Sequence, residues 1–396
     1  VLSEAIPGVH SVAVGVWVRQ GSAHEPSGEV GISHLLEHMV FKGTMRRSAR
    51  EIALALEGLG GSLDAYTSRE HTSFQARALG EHLREALDVV SDLVLSPRLL
   101  SGDLELEREV VLEEISTVED TPDDLVFDLH GERLWRGHGY GRAILGTRES
   151  VTSITPEALR TLHRARYLGE NLVVAAAGNV DHALFQARVA DLFGASAACG
   201  RRPPVPTPGP VRIGEEKLVR DSAQTHLVFG TDLVPHSDPR RYALVLLSAA
   251  LGGGMSSRLF QRVREELALA YSVYSFQSFY GSAGLGGVYV GTRPDGAERV
   301  VEAVRAEYAR LAHEGLPADE LEQAKRQVKG QIMISLESTG ARLHRLAGFA
   351  LYDEPYIPPD ALLARIDAIT ERDAAEAAAE FFDPERQFLV RLGPEA

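Results

Sequence analysis

Cysteine is almost missing from this chain: Cys199 is the only one in 396 residues. An internal disulfide is therefore excluded, and so is a zinc site built from thiolates, which leaves His, Asp and Glu as ligands for any metal. Positive charge is also in short supply, with 41 Lys and Arg against 56 Asp and Glu and a formal net charge of -15. A phosphate backbone requires a basic surface, so nucleic acid is not an expected partner; basic or extended peptides match the charge, which also serves solubility. No apolar run approaches the length of a membrane span, so no membrane partner is expected. The expected compartment is the cytoplasm, although the chain starts at Val1 without a methionine and so does not speak to a leader.

What is present is the composition of a soluble globular protein, 44% hydrophobic and 24% charged, in a length that suits two domains. The stretch 201–210 (RRPPVPTPGP) holds five prolines and a glycine and reads as a stiff linker between a domain at 1–200 and another at 211–396. The halves repeat each other at an offset of 215 positions, from Ser11 to His226. Residues 11–18 (SVAVGVWV) form a strand pattern around Gly15, and 226–231 (HLVFGT) one around Gly230. Thr155 and Thr370 each open a helical segment that leads into an apolar strand, 171–179 (NLVVAAAGN) and 387–393 (QFLVRLG). Helical periodicity at 81–95, 103–119, 296–313 and 318–336 fills the space between strands. The fold class expected is α+β: two homologous α/β sandwich domains from an internal duplication, each a mostly antiparallel sheet with helices on one face.

Within an apolar helical run at 31–41 stands His34-Leu35-Leu36-Glu37-His38. On a helix, positions i, i+3 and i+4 share a face, so both imidazoles and the carboxylate project together. Two neutral imidazoles are a normal zinc pair that leaves places for a carboxylate and a water. Glu37 then suits a general base that activates a zinc-bound water. A second acidic helix, 104–120 (LELEREVVLEEISTVED), supplies carboxylates. Glu114 lies beside Val110, Val111 and Ile115, and a carboxylate buried among them needs a cation. Glu107 falls two turns earlier on the same face, whereas Glu105, Glu109 and Glu119 read as a solvated acidic face. His71, His130 and His138 read as structural.

These motifs resemble the pitrilysin-type inverzincin metallopeptidases, the group of insulin-degrading enzyme and mitochondrial processing peptidase, in a short two-domain form. The resemblance runs through HLLEHMVFKGT at 34–44, LDAYTSREHTSF at 63–74, EREVVLEEISTVEDTPDD at 107–124 and LGGGMSSRLFQRVREELALAYSVYS at 251–275. It implies Zn2+ as the cofactor, Glu114 as the third ligand after His34 and His38, and Glu107 as a carboxylate supporting the site. It also implies that Arg264 and Tyr271 bind the substrate carbonyl and the oxyanion, and that Asp64, Ala65, Tyr66, Thr67 and Ser68 belong to an edge strand that receives substrate backbone. Relatives carry Asn where Asp64 stands; Asp64 either favours basic side chains or serves the turn after Gly60-Gly61. At the 215-residue offset, His34, His38 and Glu114 map to Ala249, Gly253 and Lys329, so the second half is a metal-free copy. The closed chamber of the family needs twice the domains this chain has, which implies a homodimer whose active sites combine one subunit's zinc with Arg264 and Tyr271 from the same chain or from the other. The expected function is zinc-dependent endopeptidase action on unfolded or short peptides. The alternative is a catalytically silent or partner-dependent processing-peptidase-like subunit.

Overall fold

The computed structural model describes residues 1–194 and 204–395. Cys199 and the first part of the expected linker, 201–203, lie outside the described residues; 204–213 contains neither helix nor strand. Among the described residues no helix is long and apolar enough to cross a membrane.

The first compact unit is built on a five-stranded sheet of order β1-β5-β2-β4-β3. Its strands are β1 (Leu2–Ala5), β2 (Ser11–Val18), β3 (Ser62–Thr67), β4 (Thr72–Leu79) and β5 (Leu172–Gly178). Only the β1–β5 pair is parallel. The alternation in β2 decides the layers: Val12, Val14, Val16 and Val18 face a helical core, whereas Ala13 and Trp17 face the other way. Burying each valine contributes roughly 1.5–3 kcal/mol. The helices of this unit are α1 (Ile32–Val40), α2 (Ala49–Glu57), α3 (Leu83–Leu95), α4 (Ser101–Glu119, as far as Ser116), α6 (Arg148–Ser153), α7 (Pro156–Arg166) and α8 (His182–Phe193), with α12 (Thr339–Leu351) from the far half of the chain. Leu35, Leu36, Met39 and Val40 of α1, Leu87, Val90 and Val94 of α3, and Leu104 and Val111 of α4 meet in one core.

The second unit repeats the topology, with order β6-β10-β7-β9-β8. Its strands are β6 (Gly214–Val219), β7 (Thr225–Leu233), β8 (Ala270–Phe279), β9 (Gly284–Thr292) and β10 (Phe388–Gly393). Around them lie α5 (Pro122–Leu134), α9 (Arg241–Gly252), α10 (Ala297–Glu314), α11 (Ala318–Ser335), α13 (Pro359–Asp367) and α14 (Glu371–Phe381). Thr155 and Thr370 cap α7 and α14, each accepting a bond from the amide three residues on.

The compact units are not contiguous stretches. One comprises Val1–Ser116, Arg142–Val205 and Ser335–Tyr356; the other comprises Thr117–Gly141, Pro206–Ile334 and Ile357–Ala396. Each sheet has its main helical layer on one face and receives a single helix from the other half of the chain on the opposite face. Leu343, Leu346 and Ala347 of α12 pack on Ala13, Trp17 and Val173, and α5 packs on β7 and β10. The strand glycine of the second half makes room for this exchange: a Cβ at Gly230 would lie 2.6 Å from the ring of His130 on α5. His130 is buried and bonds the Phe388 carbonyl at 3.1 Å, and His138 bonds the Pro206 carbonyl at 2.8 Å, both structural as expected.

Candidate metal centre

Helix α1 presents its apolar side to the core and turns His34, Glu37 and His38 to the opposite side, where α4 and the end of β3 meet it. The His34 and His38 rings lie edge to face, 4.6 Å apart between centroids. Glu114 on α4 reaches both: His34 Nε2 is 3.6 Å from its Oε2, and His38 Nε2 is 3.5 Å from its Oε1. The three donor atoms lie within 4.8 Å of one another, and this is the one such group among the described residues.

These separations test whether zinc fits. Ligands about 2.1 Å from one ion at tetrahedral angles stand about 3.4 Å apart, wider than the ~2.9 Å of a hydrogen bond. The observed 3.5 and 3.6 Å, each to a different oxygen of Glu114, lie nearer the former. The donor chemistry also fits, since a ligating imidazole must be neutral. Burial, and then the neighbouring His38, push the His34 imidazole down to about 3.

Outer partners fix the orientation of these groups. Glu107 is 5% exposed and meets His38 Nδ1 at 3.2 Å, which turns Nε2 of that ring towards Glu114. The other Glu107 oxygen is paired with Lys42. Glu37 lies in the same cluster with its carboxylate bound by the Thr67 hydroxyl at 2.7 Å. Burial pushes the Glu37 carboxyl above its usual range and the Glu114 charge adds to this, while the Thr67 bond and His38 pull it back. Burial, and then the Glu37 charge, hold the Tyr167 phenol above its usual range, so it stays protonated.

Strand β3 carries Asp64, Ala65, Tyr66 and Thr67 and is an edge strand, paired on one side with β4. Thr67 points to α1, whereas Tyr66 points to the other face and meets His71 Nε2 at 3.2 Å. His71 stands in the turn before β4, not in a strand. Asp64 is exposed within the strand opposite Gln75 rather than in the turn after Gly60-Gly61. Ser68 follows β3 and donates to the His71 carbonyl at 2.9 Å.

Arg264 and Tyr271 form a pair within the second unit. The Arg264 guanidinium lies 4.4 Å from the centre of the Tyr271 ring and its Nη1 donates to the Tyr271 carbonyl at 3.3 Å. Tyr271 is 76% exposed, so its hydroxyl is available to a ligand. Among the described residues the second unit offers no copy of the metal set, and Lys329, in the place of Glu114, pairs with Asp367.

Three contributors were not read from the sequence: Lys42, the bond from Thr67 to Glu37, and Tyr167. Lys42 left a trace, since it follows His38 by one helical turn. Thr67 and Tyr167 left none, because the approach of β3 and α7 to α1 is tertiary.

The family model for insulinase, peptidase family M16, matches residues 1–148, and the model described as the peptidase M16 inactive domain matches residues 153–328. The chain is 38% identical over its whole length to an uncharacterized zinc protease of Streptomyces coelicolor, covering 87% of that protein. It is 39% identical over its whole length to one of Mycobacterium tuberculosis, covering 91%. Over 87% of its length it is 40% identical to the uncharacterized zinc protease YmxG of Bacillus subtilis, covering 84%. In fold it matches the crystal structure of a peptidase M16 inactive domain from Pseudomonas fluorescens, with a TM-score of 0.92 at 22% identity over 100% of this chain and 95% of that one. A protease from Helicobacter pylori matches with a TM-score of 0.91 at 21% identity over 99% of this chain and 96% of that one. The chain therefore belongs to peptidase family M16, the insulinase family.

Proposed function

We propose that the chain is a zinc-dependent endopeptidase that hydrolyses unfolded or short peptides, with the metal held by His34, His38 and Glu114. The observation that carries this is the convergence of two imidazoles and one carboxylate whose donor atoms lie within 4.8 Å of one another. The zinc protease names of its relatives support the same reading.

Zinc bound there supplies Lewis acidity to a water and to the scissile carbonyl. Glu37 takes the proton of the attacking water and delivers it to the departing amine, so that water adds across the C–N bond and no other reactant is consumed. Thr67 holds the Glu37 carboxylate in place. The free edge of β3, from Asp64 to Ser68, pairs with extended substrate backbone. The Arg264 guanidinium and the Tyr271 hydroxyl donate to the carbonyl oxygen as it gains negative charge, from the same chain or from a second copy in a homodimer. The natural test is digestion of a peptide library by the purified chain with a chelator and after zinc is restored, read by mass spectrometry. Cleavage that persists undiminished in the chelated protein would overturn the reading.

The pH profile gives a second check on Glu37. The base must be ionised, and the acid limb of kcat/KM reports its pKa in the free enzyme. The Thr67 bond favours the ionised form, so Thr67→Val raises the Glu37 pKa. The acid limb of Thr67→Val is expected at higher pH than that of the natural chain. A limb that stays in place or moves to lower pH contradicts the role given to this pair.

A further inference from the structure

Glu25 stands on the loop leading into α1 and is 4% exposed. The helix begins at Gly31, which has no side chain to cap the first turn and stands at φ +90°. Glu25 supplies the missing acceptor from six residues upstream: Gly31 N donates to its Oε2 at 2.7 Å and Ser33 N to its Oε1 at 2.8 Å. A carboxylate in this place also meets the positive end of the helix dipole.

The opposite side of the same turn is closed by backbone. A Cβ at Gly31 would lie 2.5 Å from the Leu145 carbonyl, and one at Gly146 would lie 2.4 Å from the Val30 carbonyl. Arg142 Nη1 donates to the Glu25 carbonyl, and Gln20 Nε2 donates to Ser33 Oγ at 3.2 Å. Ser33 is thereby held through both its amide and its hydroxyl, and the next residue is His34. Burial pushes the Glu25 carboxyl up to about 7, against the pull of the Ser33 and Gly31 amides and of Arg142. Burial opposes the charge of this carboxyl, and the two amides of the first turn are what hold it there.

We infer that Glu25 is a positioning residue for the metal centre: by clamping the first turn of α1 it holds His34, and one turn on Glu37, in register with Glu114. It acts through the helix and touches neither the ligand atoms nor the substrate. The first turn of a helix is where fraying begins, and His34 is only its third residue. An imidazole on an unclamped turn samples positions away from Glu114, and the ligand set is then assembled only part of the time.

The inference rests on the zinc reading above, and the test separates the two. Full-length natural chain, Glu25→Gln and Glu25→Asp are compared for zinc affinity by competition with a chromophoric chelator. Amide hydrogen exchange over 31–34 is followed in the same proteins free of metal, and kcat and KM are measured separately. Glu25→Gln, which keeps one accepting oxygen and turns an NH2 towards the other backbone amide, is expected to bind zinc about tenfold more weakly, as loss of an outer partner does. Its amides at 31–34 exchange faster, and kcat falls with KM unchanged. Glu25→Asp, charged but one methylene short, falls between. Equal zinc affinity and equal exchange in Glu25→Gln and the natural chain overturn the inference. A natural chain that binds no zinc overturns the metal reading instead, and the exchange comparison then decides on Glu25 by itself.

Discussion

Glu37→Gln is expected to bind zinc as the natural chain does and to cleave peptides about 10²- to 10⁴-fold more slowly, the range that a positioned general base contributes. Glutamine keeps the shape of the side chain and its bond from the Thr67 hydroxyl, so the surroundings of the site are preserved. It cannot take a proton from water, and so the attacking nucleophile is no longer formed. The group that could hold a metal is His34, His38 and Glu114, without Glu37, so metal content should stand unchanged. Zinc analysis and steady-state rates on one preparation make the check. A variant within tenfold of the natural rate would mean that some other group serves as base.

Glu114→Ala is expected to act through the metal itself. It removes the only carboxylate within reach of both imidazole Nε2 atoms among the described residues, leaving a two-ligand site. Loss of an outer partner such as Glu107 costs about 10- to 100-fold in metal affinity, and loss of a ligand must exceed that. Glu114→Ala should therefore weaken zinc by more than about 100-fold and lose activity at ordinary zinc concentrations, with partial return when zinc is added in excess. Its fold should persist, because Glu114 is half exposed and the α4 core contacts come from Leu104, Val111 and Ile115. Unchanged zinc affinity in this variant would remove Glu114 from the ligand set and with it the proposed centre.

The periodicity of the chain carried much of this in advance. The helix expected at 103–119 is Ser101–Glu119, the strand expected at 11–18 is Ser11–Val18, and both Thr-initiated helices begin where the cap residue indicates. Such features depend on neighbours within a few residues, and spacing alone reports them. The His-x-x-Glu-His spacing belongs with them, since one helical turn fixes which side chains share a face.

Other features are not carried by local spacing. The exchange of α5 and α12 between the halves follows from which apolar sheet face lacks cover, a property of the assembled sheet. Thr67 on Glu37 and Lys42 on Glu107 are likewise contacts between segments that only folding brings together. By itself, then, the sequence determined the elements, the duplication and the candidate ligands, because each is written in local periodicity or in residue type. The tertiary structure alone decided how those ligands are oriented, buried and held. Distances between segments far apart in the chain depend on how their apolar faces pack, and no spacing along the chain records them.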